Sequence, residues 1–268
     1  MTIATTIDTV CADLAAEHED LDRIVAALDD ADLERPTPSP GWSVRDQVTH
    51  LAYFDGQATL AIVDPEAFAA GVRRFVADPA AMMAEHLTHG HGLGVEGMLG
   101  WWRDQRGRLL SVARGVEPGT RVPWYGPPMS PVSFVTARLM ETWCHGQDVV
   151  DAVGAVRTPT ARLRHVAHIG VRARAFSYAT NGRPAPEGEV RVELEAPDGG
   201  VWSWGDAAAA DRVTGTALDF CLAVTQRRHR DDTRLQIAGP LALDWMEIAQ
   251  AFAGPPGEGR RPGQFPIT

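Results

Sequence analysis

The stretch that decides the fold is Arg138–Ala152, RLMETWCHGQDVVDA. At about 100° per residue, Val132, Val135, Leu139, Trp143, Gly146, Val150 and Val153 form one continuous stripe, the spacing of a helix facing a core. Glu141, His145 and Asp148 lie roughly opposite, yet Phe134, Ala137, Cys144 and Ala152 share that far side, with Arg138 and Asp151 on its flanks. A helix apolar on two sides is buried on two sides, and ionisable groups there need partners because an unpaired buried charge is costly. Residues four apart share a helix face, so Glu141 stands one turn from His145. That pair is either an ion pair or half of a metal site.

Composition narrows the class. The 268 residues suffice for one large domain or two ordinary ones, and 44% hydrophobic with 22% charged residues is usual for a soluble globular protein. A net charge of −10 argues against nucleic acid and anionic membranes as partners, since both attract basic surfaces. No apolar run approaches the ~20 residues of a membrane-spanning helix, and MTIATTIDTVCADL lacks the basic-then-apolar order of a signal peptide. Cys11, Cys144 and Cys221 are few and far apart, the usage of reduced thiols in a cytoplasm.

Outward from the deciding helix, the first half reads as helices joined by proline-rich loops. Ile7, Cys11, Leu14, Leu21, Val25 and Leu28 predict a helix over 7–28, with His18 in its seam pointing inward as a core histidine or a pocket base. Ser43, with Asp46 three residues on, caps a second helix that turns Val44, Val48, Leu51 and Ala58 inward and carries His50 at the stripe's edge. A third helix is expected over Val95–Ala113, and the loop RVPWYGPPMSP leads into the fourth. Residues 65–94 receive no firm assignment. Their segment EHLTHGHG offers His86, His89 and His91 as a rival metal cluster, but its glycines suggest a flexible loop. Cys144, about 100° round the helix from His145, reads as a packed thiol.

Near Ala155 the period changes, which divides the chain into domains 1–155 and 156–268. The second is expected to hold a helix over 160–180, a hairpin in VRVELEAPDGGVWSWGD, a helix in TALDFCLAVTQRR, a short strand in TRLQIAG and a closing helix in LALDWMEIAQAFAG. That is a small α+β domain. His165 and His168 read as surface or interdomain contacts, and the tail GPPGEGRRPGQFPIT as disordered or docked.

In an alternating up-down bundle the second and fourth helices run the same way. His50 then sits roughly 10 Å down its helix, against roughly 14 Å for Glu141 and 20 Å for His145, and modest differences in loop height bring the three level. Two imidazoles and one carboxylate suit zinc, iron or nickel, and three protein ligands leave a position for water or substrate.

PSPGWSVRDQVTHLAYFD, residues 38–55, together with RLMETWCHGQDVVDA resembles the mycothiol-dependent maleylpyruvate isomerase family, a branch of the DinB-like metal-binding bundles. The shared pattern is Pro-Gly-Trp-Ser/Thr-Val-Arg-Asp before a histidine on the second helix, then Glu-x-x-x-His-x-x-Asp on the fourth. The resemblance implies a DinB-like four-helix bundle followed by a sterol-carrier-like α+β domain. It implies His50, Glu141 and His145 as ligands of a divalent metal, usually zinc, and mycothiol as a low-molecular-weight thiol cofactor. The thiol, bound at the open position, loses its proton and adds to an activated double bond of a small-molecule substrate. Rotation and elimination then isomerise it; capture of a proton makes an S-transferase. Trp124 and Tyr125 are expected to line the thiol or substrate pocket, and Asp148 to orient a ligand or the thiol's amide. Arg227 and Arg228 are the candidates for the family's substrate-binding arginine. VPWYGPPMS and TQRRHRDD are more typical of an uncharacterised subgroup than of the isomerase itself. No further catalytic residue is assigned. Two other classes stay open: a DinB-like metal-dependent hydrolase, and a non-catalytic protein binding an apolar ligand through its second domain.

Overall fold

The computed structural model describes residues 6–265. The chain divides into two compact units, Met1–Arg157 and Thr158–Thr268. The first holds α1 (Ile7–Val25), α2 (Val44–Val63), α3 (Pro65–Ala77), α4 (Pro79–His91), α5 (Val95–Arg114) and α6 (Pro131–Val153). Local chemistry sets their ends. Ser43 and Asp46 form a full capping box on α2, and Ser130 with Pro131 opens α6. Asp64 and Asp78 cap α3 and α4, each followed by a proline in the first turn, where a missing N–H costs nothing. The segment without a firm assignment is therefore two helices, and EHLTHGHG belongs to α4 and not to a flexible loop.

Helices α1, α2, α5 and α6 form a four-helix bundle in which α1 and α2 each pack on both α5 and α6. Leu21, Val25, Val48, Leu51, Met98, Trp102 and Val149 lie in its core. Helix α6 is buried on nearly every side, from Val135 and Leu139 to Cys144 and Asp148. One direction departs from the alternating order. Gln47 meets His145 and Asp55 meets Arg138, so α2 and α6 are antiparallel. Thr49 meets Met98 and Asp55 meets Trp102, so α2 and α5 are parallel. The reason is the α3–α4 excursion, which returns the chain to the end where α2 began. His50 near the start of α2 thus comes level with the second half of α6 without any adjustment of loop height.

All four bundle helices meet at Asp55, which is fully buried. Arg138 Nε and Nη2 donate to its Oδ1 at 3.1 and 3.0 Å, and Trp102 Nε1 donates to its Oδ2 at 3.2 Å. His18 Nε2 lies 3.6 Å from Oδ2, with its ring edge-on to Trp102. Arg138 is therefore a core residue, not a flanking one. His18 does point inward, but neither ring nitrogen has a hydrogen-bond partner among the described residues.

The second unit contains α7 (Leu163–Arg172), α8 (Arg174–Thr180), β1 (Val190–Glu195), β2 (Val201–Trp204), β3 (Asp211–Thr216), α9 (Ala217–Val224), β4 (Gln236–Ala238) and α10 (Pro240–Ile248). Its sheet runs β2-β1-β3-β4, with β1 and β3 parallel and the outer pairs antiparallel. The hairpin lies where it was expected; the 160–180 helix is broken at Ala173, and β3 was not anticipated. Asp211 explains the placing of β3. Its Oδ1 accepts from the Leu241 and Ala242 backbone at 2.6 and 3.1 Å and caps α10. The tail is docked as far as Phe265, since Asp232 accepts from the Gly263 and Phe265 backbone; its last three residues lie outside the described ones. Arg227 donates to the Thr225 carbonyl, and Arg228 covers the Phe265 ring at 3.8 Å. On α7, His168 accepts from Trp204 Nε1 at 3.3 Å. Among the described residues no helix is long and apolar enough to cross a membrane.

The Asp55 junction yields two predictions. Asp55→Ala leaves the Arg138 guanidinium buried without its carboxylate and should cost roughly 3–5 kcal/mol in urea unfolding, of which Asp55→Ala/Arg138→Met recovers a large part. Burial, helped by Arg106 and Arg138 and opposed by Asp55, pushes His18 from 6.5 down to about 4. The unfolded chain then binds the extra proton between those two values, so this stability is complete above pH 6.5 and lost as pH falls towards 4. At about 1.4 kcal/mol per pH unit, wild type should lose about 3 kcal/mol relative to His18→Leu between pH 7 and pH 4.

Candidate metal centre

The loop before α2 builds one wall of the site. Gly41, at φ +78° in the left-handed region, turns the chain, and Thr37 N bonds Trp42 O at 2.8 Å. Ser39 Oγ donates to Asp148 Oδ2 at 3.0 Å, which ties the loop to α6. Trp42 is thereby laid over the His145 ring, 5.8 Å between centroids and 22° from parallel, and 5.2 Å from His50.

Among the described residues, one group of three potential ligands converges: His50, Glu141 and His145, with donor atoms all within 4.8 Å of one another. A hydrogen-bonded chain fixes the tautomer of His145. Thr37 Oγ1 donates to the Trp42 carbonyl at 2.8 Å, so it accepts from Gln47 Nε2 at 2.9 Å. Gln47 Oε1 is then left to accept, and His145 Nδ1 donates to it at 2.5 Å. The lone pair of the neutral ring is on Nε2, which stands 3.2 Å from Glu141 Oε2. A lone pair and a carboxylate oxygen facing each other repel unless a cation or a proton lies between them. The residues fit a divalent ion: two imidazoles and a carboxylate, with one imidazole oriented by an outer hydrogen bond.

An aromatic wall continues from His50. Phe54 lies 4.5 Å from its ring, and Tyr125 and Trp124 lie 5.6 and 6.2 Å from Phe54. The two loop aromatics thus adjoin the centre one ring removed from His50. Burial pushes the Tyr53 and Tyr125 phenols above their usual range, so both are neutral O–H groups at pH 7. Asp148 is fully buried under the loop, and Cys144 Sγ packs on Met140 Sδ at 3.5 Å. The histidines of α4 do not form one cluster. His89 packs on Trp101, His91 meets Asp46 at 3.0 Å, and His86 turns inward, 5.5 Å from His50 and 5.0 Å from Tyr53 between ring centroids. Sequence reasoning missed Gln47 and the inward turn of His86. Gln47 sat beside His50 in the helical pattern, but nothing in the sequence pairs it with a residue 98 positions away.

The family model for the mycothiol maleylpyruvate isomerase N-terminal domain matches residues 14–150, half of the chain and all three converging ligands. The chain belongs to the mycothiol maleylpyruvate isomerase family. Two proteins of Mycobacterium tuberculosis, the uncharacterized MT0041 of strain CDC 1551 and Rv0036c of strain H37Rv, are similar to it. Each is 45% identical over 249 residues, spanning 93% of this chain and 97% of its own length. The crystal structures of mycothiol-dependent maleylpyruvate isomerase and of a mutant of it share the fold of this family member. Their TM-scores are 0.57 at 17% and 16% identity, covering 87% of this chain and 93% of theirs. A second family model, for wyosine base formation, matches only residues 186–235.

Gln47→Leu removes the acceptor that orients His145 and should weaken metal retention roughly 10–100-fold in a chelator competition, with the helical far-ultraviolet spectrum unchanged. His50→Ala should abolish stoichiometric binding, and retention at wild-type level in both variants would refute the site.

Proposed function

We propose that this protein is a divalent-metal-dependent, mycothiol-dependent transferase or isomerase acting on a small molecule in the cytoplasm. The observation that carries the reading is the convergence of His50, Glu141 and His145, with His145 Nε2 aimed at the Glu141 carboxylate, inside the part of the chain that defines its family. None of the three cysteines is in a disulfide, which fits a reducing compartment.

A divalent cation, zinc in the first instance and nickel or iron as alternatives, supplies stabilisation of a thiolate at neutral pH. The chain's residues do the rest. Gln47 holds His145 in one tautomer, and Asp148 acts as a positioning residue by anchoring the loop that lays Trp42 over the site. Trp42 and Phe54 exclude water around the imidazoles, while Trp124 and Tyr125 extend an apolar face for thiol or substrate. A thiolate sulfur that adds to an activated carbon–carbon double bond forms a C–S bond and leaves a single bond free to rotate. Expulsion of the sulfur restores the double bond in the other geometry; protonation of the carbanion retains the thioether.

Cobalt-substituted protein tests the reading. Saturating mycothiol should add an intense near-ultraviolet sulfur-to-cobalt band, unchanged in Cys144→Ala and weakened in titration by Asp148→Asn. A cobalt protein that gains no band would exclude a coordinated thiol.

A further inference from the structure

Among the described side chains of α4, one is buried, and it is His86. Ala80, Ala81, Ala84, Thr88 and His89 are exposed, and Leu87 is half buried. The seat of α4 is close and polar. Gly90, one turn after His86 on the same face, lies against Thr49, where an added Cβ would come within 1.8 Å of Thr49 Oγ1. Arg45 donates to the Gly90 and Leu93 carbonyls, and His91 meets Asp46. These contacts fix α4 against residues 45–49 of α2, and one turn back His86 falls opposite His50 and Tyr53.

Two imidazoles bound at about 2.0–2.1 Å to one tetrahedral ion have ring centres about 5 Å apart. His50 and His86 are 5.5 Å apart. We propose that His86 is a fourth protein donor of the metal centre, making a set of three histidines and one glutamate that is closed until a thiol displaces one of them. The inference rests on His50, Glu141 and His145 holding the ion. Their donor atoms lie within 4.8 Å of one another in a group that leaves His86 out, so the proposal requires His86 to turn about its side-chain bonds to join them. His86 is the donor to leave, because the other described side chains of α4 are exposed or half buried, whereas His50 and His145 sit on core helices.

X-ray absorption of the zinc protein and the visible spectrum of the cobalt protein, both without thiol, test this. Wild type should show three imidazoles, and His86→Ala two, with an altered cobalt spectrum and affinity weaker by at least about tenfold. Gly90→Val, which forces α4 away from Thr49, should give the same loss of one imidazole while leaving His86 in the chain. An unchanged imidazole count in His86→Ala overturns the proposal even where affinity falls, because a residue outside the coordination sphere can lower affinity alone. Wild-type protein that holds no metal overturns this proposal together with the three-ligand reading, whereas metal held with equal counts in both proteins overturns only the role of His86.

Discussion

The Asp55–Arg138 pair is the constraint on which the rest of the first unit depends. Both side chains are buried, and a buried pair contributes little net stability once the cost of dehydrating two charges is counted. Its effect is on register. A slip of α2 against α6 by one residue would leave two charges unpaired in the core and Trp102 Nε1 without its acceptor. Asp55 lies five residues after His50, and Arg138 three before Glu141. On the other side of the centre Gln47 and His145 make a second tie between the same helices. The candidate ligands therefore lie between two polar clamps on antiparallel helices, which hold their donor atoms together.

The start of α2 is the segment that turns this register into a site. Gly41 makes the turn, Trp42 covers the imidazoles, and Ser43 and Asp46 cap the helix. Arg45 clamps α4, Gln47 orients His145, and His50 joins the group of candidate ligands. Asp46 has two roles, since its other oxygen meets His91 at the end of α4. The motif is thus a set of consecutive residues each facing a different neighbour, as helical geometry permits when a helix is surrounded on all sides.

What was legible in the sequence follows from periodicity and capping. The stripe from Val132 to Val153 gave away a helix buried on two sides, Ser43 and Asp46 marked the start of α2, and four-residue spacing paired Glu141 with His145. The Asp-Pro pairs at Asp64 and Asp78 carried an equally plain signal for α3 and α4, obscured by the glycines and histidines that follow. Missing those two helices reversed the expected direction of α2 relative to α6. Strand β3 was unreadable for another reason: DRVTGT has Val213 as its sole large apolar residue, and its place is set by Asp211 capping a distant helix. Asp55, Arg138 and Gln47 were illegible because a polar residue's partner, unlike an apolar residue's face, has no period.

Thiol chemistry and hydrolysis ask different things of the same geometry. A metal-dependent hydrolase attacks with a water that the cation acidifies, aided by a carboxylate or imidazole that receives its proton. In the first unit the nearby carboxylates have other contacts: Asp55 holds Arg138, Asp46 caps α2, Asp148 receives Ser39, and Glu141 faces His145 Nε2. Tyr53 and Tyr125 stay protonated. A bound cation acidifies a thiol and a water alike, so what differs is the group that receives the water's proton. That leaves His86 as the imidazole on which the two chemistries divide. As a fourth ligand it closes the centre to a base-assisted water and makes way for a sulfur donor; outside the coordination sphere, 5.5 Å from His50, it would stand where a hydrolase keeps its base. Under the proposed function, the place of one side chain on α4 is therefore what distinguishes thiol chemistry from a hydrolytic use of the same bundle.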